Sequence, residues 1–121
     1  MVPGQTSNAL TQLRRGTLEY CVLALLRERE RYGFELVRTL SDTDGMVISE
    51  GTIYPLLNRL RSERLVTTFW QESESGPPRR YYRVTTAGLR ALDAFSREWA
   101  HFRDAVDELL RRGERHGNNG R

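Results

Sequence analysis

The chain has 121 residues, enough for one folded unit and too few for two, and its longest apolar run, Tyr20 to Leu26, is far too short for a membrane-spanning helix. Hydrophobic residues make up 38% and charged residues 29%, a polar balance that suits a fold completing its apolar burial against a second copy. The net charge of +3 is too small to establish a nucleic-acid partner, so the placement of the 19 basic residues, every one an Arg, carries more information. Arg suits bidentate contact with phosphate or guanine, although GC-rich codon usage produces the same absence of Lys with no function attached.

Residues 1–8 are turn formers without periodicity and are expected to be disordered. A first helix is expected from near Ala9 to about Arg29, with Leu18, Val22, Leu25 and Leu26 inward and Gly16 as a place where it bends. Cys21 lies within this apolar run; a lone thiol makes no internal disulfide and reads as a small core residue. The run Arg27-Glu28-Arg29-Glu30-Arg31 reads as a solvated helix end and turn. A second helix covers about Tyr32 to Leu40, and Ser41 to Gly45 has turn composition. Met46-Val47-Ile48 is a candidate for a brief first strand.

The stretch from Ser49 to Leu60 is the most informative. Ile53, Leu56, Leu57 and Leu60 fall at i, i+3, i+4 and i+7, so a short helix buries one narrow stripe. Its other face offers Thr52, Tyr54, Pro55, Asn58 and Arg59, chemistry suited to a DNA major groove. Ser49 is a natural N-cap and Thr52 a competing one. Pro55 is expected to be tolerated only in the first turn, which favours a start near Thr52 or a distorted first turn. Asn58 can contact adenine, and Arg59 guanine or phosphate; either could instead be an ordinary exposed helix residue.

Two strands follow, Leu65 to about Glu72 and Arg80 to Val84, the second with Tyr82 and Val84 on one face. Between them Ser73 to Arg79 reads as an exposed hairpin tip. Arg79 and Arg80 there could meet phosphates or a minor groove, or be plain solvated charge. A last helix, capped by Thr85 or Thr86, runs to about Arg112, with 113–121 expected to be disordered. Leu92, Phe95, Trp99, Phe102, Val106 and Leu109 are spaced 3, 4, 3, 4 and 3, a heptad seam. The alternatives are packing on its own domain or pairing with a second chain, and the seam's length favours a homodimer, with Leu10 and Leu13 of the first helix completing the interface. Two copies of Trp99 near a two-fold axis would either pack or form a slot for a small aromatic or hydrophobic effector.

These elements predict a mainly α fold with a small β-hairpin (α+β): a winged helix-turn-helix over 9–85 and a long C-terminal dimerisation helix over 86–112. The partner expected is double-stranded DNA, read in the cytoplasm. His101 and His116 are poorly placed for a metal, and no catalytic constellation stands at a useful spacing, so no enzyme activity, metal or cofactor is expected.

Four segments resemble the PadR family of transcriptional regulators: Arg15-Gly16-Thr17-Leu18-Glu19, Arg31-Tyr32-Gly33-Phe34-Glu35-Leu36, Ser49 to Leu57 with Arg59-Leu60, and Arg79-Arg80-Tyr81-Tyr82-Arg83-Val84-Thr85 with Gly88. The single C-terminal helix resembles the short subfamily. The resemblance implies a winged-helix dimer, usually a repressor, whose C-terminal helix crosses to the partner. It also implies planar ligands held between paired tryptophans in some members, with Trp99 at the corresponding place and Phe95 and Phe102 beside it as rings that could fill the slot.

Overall fold

The apolar stripes of the first three helices meet in one core. Leu18, Val22, Leu23 and Leu26 come from the first, Leu36, Val37 and Leu40 from the second, and Ile53, Leu57 and Leu60 from the third. Val66, Tyr82 and Leu92 close this core from the hairpin and the last helix. The computed structural model describes residues 3–46 and 48–119, with side chains for 9, 11–46 and 48–114. Its elements are α1 (Pro3–Glu28), β1 (Arg31–Tyr32), α2 (Gly33–Asp42), α3 (Glu50–Ser62), β2 (Val66–Ser73), β3 (Gly76–Val84) and α4 (Thr86–Asn119). The strands form an antiparallel sheet in the order β1-β3-β2. The architecture is a winged helix with a long C-terminal helix, as expected.

Several boundaries differ from the sequence expectation for physical reasons. The first strand is Arg31–Tyr32, paired with Tyr82 and Tyr81, and Met46 and Ile48 belong to no strand; Val47 lies outside the described residues. Arg31 is therefore not part of a solvated turn. It is buried, and its Nε donates to the Leu25 carbonyl at 3.2 Å while Nη2 donates to Glu28 at 2.7 Å. Burying a guanidinium is tolerable because both of these acceptors compensate it. Helix α1 begins at Pro3, ahead of the expected Ala9, and continues through Gly16; α4 passes Gly113 and ends at Asn119. A glycine inside a helix costs about 1 kcal/mol, which does not by itself end one. The expected disordered tails include residues 1, 2, 120 and 121, which lie outside the described residues.

Helix α3 starts at Glu50, with Ser49 in extended conformation at its N-cap. The Ser49 carbonyl accepts from the N–H groups of Thr52 (3.0 Å) and Ile53 (3.2 Å), while its hydroxyl pairs with that of Thr52 at 3.3 Å. Pro55 thus sits in the second turn, past the expected limit. The Gly51 carbonyl has no N–H to accept from four residues on, but both residues are exposed, so water can take that place. The helix ends in a Schellman motif: Leu65 N–H donates to the Leu60 carbonyl at 2.9 Å and Arg64 N–H to that of Arg61 at 3.0 Å. Arg64 occupies the left-handed position at φ 62°, where glycine is the usual residue.

That helix end is tied directly to the start of α4. The Thr85 hydroxyl donates to the Arg64 carbonyl at 2.8 Å and accepts from Gly88 N–H at 3.0 Å, so Thr85, not Thr86, is the N-cap. Thr85 N–H donates to the Leu65 carbonyl at 3.0 Å. Gly88 packs so closely there that a Cβ would lie 2.2 Å from the Leu65 oxygen. Gly88→Ala should therefore destabilise the fold by about 2–3 kcal/mol, read as a lowered urea midpoint. Gly16→Ala is the control: nothing lies within 4 Å of its Cβ, and it should be neutral or stabilising.

Candidate nucleic-acid interface

Burial of Ile53, Leu57 and Leu60 fixes which side of α3 faces outward. Gly51, Thr52, Tyr54, Pro55, Asn58 and Arg59 are all exposed, together with Ser49 at the cap. Each buried aliphatic side chain contributes about 1.5–3 kcal/mol, far more than any polar contact on the outer face, so the core decides the rotation. The outward residues divide between two grooves. Tyr54 and Asn58 line one of about 340 Å³ with Arg79, Arg80, Tyr32 and Phe34. Ser49, Thr52, Pro55 and Arg59 line another of about 620 Å³, which Arg14, Arg15 and Leu18 of α1 complete.

The wing differs in detail from the expected tip. The turn is only Glu74–Ser75, and β3 extends back to Gly76. Arg79 and Arg80 therefore stand on the strand, opposite Gln71 and Trp70, rather than at the tip. The register slips by one residue between the Gln71 and Ser73 pairings. The extra residue is on β3, at Pro77-Pro78. Prolines donate no ladder hydrogen bonds, and a bulge is where a strand accommodates them.

Alternation then gives the sheet two distinct faces. On one, Arg79 lies 4.5 Å over the Tyr32 ring and Arg83 lies 4.6 Å over Phe69, with Tyr81 between the two rings. Arg83 also pairs with Glu30. On the other face, Arg80 lies 5.9 Å from the centroid of Trp70, which is 68% exposed. Arg80 Nε is buried with no hydrogen-bond partner among the described residues. Arg80 also lines the groove of Tyr54 and Asn58. Sequence reasoning missed Trp70 and Tyr32 as parts of this surface; the pairing register that places them beside the two arginines was the missing signal.

Tyr54 fills the space above Gly33, where a Cβ would meet its ring at 2.6 Å. Burial raises the Tyr54 pKa, with Glu50 adding to the effect, so the phenol remains a neutral donor. Gly33 begins α2, and Glu35 accepts from the Tyr32 N–H at 3.1 Å and from Arg29 at 3.0 Å. Arg59 is differently placed from Asn58. Its Nη1 lies 3.2 Å from Glu63 and 3.5 Å from Glu19 of α1. Burial alone would lower its pKa, but the hydrogen bond to Glu63 and the charges of Glu19 and Glu63 hold it above the usual value.

The residues expected along the final seam separate into two groups. Leu92 is in the core of its own chain, and Phe95 stacks on Tyr20 of α1, with Trp99 stacked next to it and half-buried. Phe102, Val106 and Leu109 remain exposed, joined by Leu110, and Leu13 is exposed on α1. The side chain of Leu10 lies outside the described residues. Over the described residues no helix is long and apolar enough to cross a membrane.

Comparison with known proteins agrees with this geometry. Residues 22–94 match the transcriptional regulator PadR-like family. A transcriptional regulator of Mycobacterium tuberculosis is 32% identical over 102 residues, covering 84% of this chain and 87% of its own. A PadR family transcriptional regulator from Eggerthella lenta superposes with a TM-score of 0.77 at 42% identity, over 88% of this chain and 93% of its own. A PadR-like regulator from Bacillus cereus gives 0.75 at 38% identity, over 82% and 96%. The matched span contains α3, the wing and the Thr85–Gly88 junction, and the chain belongs to the PadR-like family of transcriptional regulators.

Proposed function

We propose that the protein is a cytoplasmic, homodimeric repressor that binds a roughly palindromic operator and is released by a small hydrophobic or aromatic effector. The observation that carries the DNA reading is the groove in which Asn58 and Tyr54 of α3 face Arg79 and Arg80 of the wing. A winged helix straddles one DNA backbone in such a groove, with α3 in the major groove and Arg on the phosphates. Affinity comes mainly from Arg79 and Arg80, discrimination from Asn58, and Ser49, Thr52 and Pro55 lie along the same outward surface.

The dimer reading rests on the exposed stripe Phe102, Val106, Leu109 and Leu110. Four large apolar side chains along one stretch of helix form a patch that a monomer in water has reason to cover. A second α4, with Leu10 and Leu13 of the partner's first helix, is the cover of matching chemistry. A two-fold dimer sets its recognition helices about 34 Å apart, one turn of B-DNA. The ligand reading rests on Trp99, which lies at the junction between the covered and the open parts of this stripe.

Selection of bound DNA from a random pool gives the half-site and its spacing together; recovery of no enriched sequence overturns the operator reading. Replacing Arg79 and Arg80 together by Ala should weaken binding to all sequences and reduce the slope of log affinity against log salt by about 0.9 for each phosphate no longer neutralised. Asn58→Ala should instead leave that slope unchanged and cost about 1–3 kcal/mol of discrimination at one base pair. Phe102→Asp should shift the protein to monomer by sedimentation while its circular dichroism stays helical. In a Trp70→Phe background, a planar aromatic dye should quench the remaining Trp99 fluorescence and weaken operator binding; quenching by no dye means the seam is filled by Phe95 and Phe102.

A further inference from the structure

Glu19 and Tyr20 are consecutive on α1, and each engages a different helix. The Glu19 carboxylate, 20% exposed, lies 3.5 Å from Nη1 of Arg59 on α3. The Tyr20 ring lies on the Phe95 ring of α4 at a centroid distance of 4.0 Å and an interplanar angle of 3°. Phe95 continues the column to Trp99 at 5.9 Å and 14°. Aromatic pairs left to themselves favour offset or edge-to-face arrangements. A near-parallel pair with centroids 4.0 Å apart belongs to the stacked arrangements, and it joins α1 to α4. The ion pair does the same between α1 and α3.

The charge of Arg59 is already offset. Glu63 holds the same Nη1 at 3.2 Å, so two carboxylates compensate the one guanidinium. The neighbouring carboxylates repel a phosphate that approaches the same guanidinium. Asn58, the next residue back, faces the wing groove instead.

We infer that Glu19 and Tyr20 are positioning residues that refine the orientation of the recognition helix relative to α4 within the limits set by the core, with Arg59 acting through Glu19 and not by contact with DNA. This rests on the paired-site reading above, because orientation relative to α4 becomes the spacing between the two recognition helices of a dimer. The route from α4 through α1 to α3 adds to the direct junction of α3 and α4 at Leu65 and Thr85.

The test is fluorescence-anisotropy titration of the full chain with duplexes carrying two selected half-sites at the selected spacing, and at one and two base pairs more or fewer. The wild type should prefer one spacing. Glu19→Gln and Arg59→Gln should each reduce that preference at least about fivefold, and the double variant should be no worse than the weaker single, the signature of residues acting as one unit. The salt slope should not change. Tyr20→Leu should lose spacing preference from the other arm, whereas Tyr20→Phe should keep it; if Tyr20→Leu fails to fold, the partly exposed Glu19–Arg59 pair decides. Sedimentation confirms that each variant is still dimeric.

Two results overturn the inference while leaving the operator reading intact. One is an Arg59→Gln variant whose salt slope falls by about 1 while Glu19→Gln tightens binding to every duplex, which makes Arg59 a phosphate contact restrained by Glu19. The other is wild-type spacing preference in Glu19→Gln and Arg59→Gln. A wild-type protein indifferent to spacing overturns the paired-site reading itself, and the coupling with it.

Discussion

The insertion of Ile53, Leu57 and Leu60 between α1 and α2 is the constraint on which everything else depends. All three are fully buried, and their stripe is narrow, so the helix has one rotation at which it can be covered. That rotation turns Tyr54 and Asn58 toward the wing and Ser49, Thr52, Pro55 and Arg59 toward α1. The outer face can therefore vary in chemistry without altering its own presentation. Gly33 belongs to the same constraint, because its missing side chain leaves the space in which the Tyr54 ring lies.

The far end of α3 carries a second constraint. Arg64 turns the chain through the left-handed region, and the Arg64 and Leu65 carbonyls both receive the Thr85 hydroxyl. Gly88 then brings the first turn of α4 down on Leu65. Three elements thus meet within a few residues: the end of the recognition helix, the start of the wing and the base of the long helix. A wing hinged elsewhere could swing without the helix; here the strands and α3 share their anchoring carbonyls.

Much of this is legible in the sequence because it follows from periodicity. The 3.6-residue spacing locates α2, α3 and the inner residues of α1, and alternation places Tyr82 inward. What is illegible depends on contacts far along the chain. A two-residue strand such as Arg31–Tyr32 has no period to read; it exists because Tyr81 and Tyr82 lie beside it. Arg31 stands in a charged run that reads as solvated, and only its fold-dependent approach to the Leu25 carbonyl explains its burial. Composition singles out Arg79 and Arg80 but sets them at a tip, since the Pro77-Pro78 bulge that lengthens β3 leaves no trace in alternation. Arg59 matches the pattern of a DNA contact, and its engagement by Glu19 arises 40 residues away on another helix.

The seam of α4 shows the same limit more sharply. Its 3-4 spacing is uniform from Leu92 to Leu109, yet its environment is not. The first positions are covered by the chain's own core and by Tyr20, and the later ones are open. A heptad describes which residues share a face; it does not say how many neighbours are available to cover it. Tyr20 of α1 stacks on Phe95, and α4, about 50 Å long at 1.5 Å per residue, continues well past it. Trp99, half-buried, stands where the covered part of the stripe gives way to the exposed part. A residue at such a boundary is exposed to both influences. The stacked rings of Trp99, Phe95 and Tyr20 run from that open half to α1, the helix whose Glu19 pairs with Arg59.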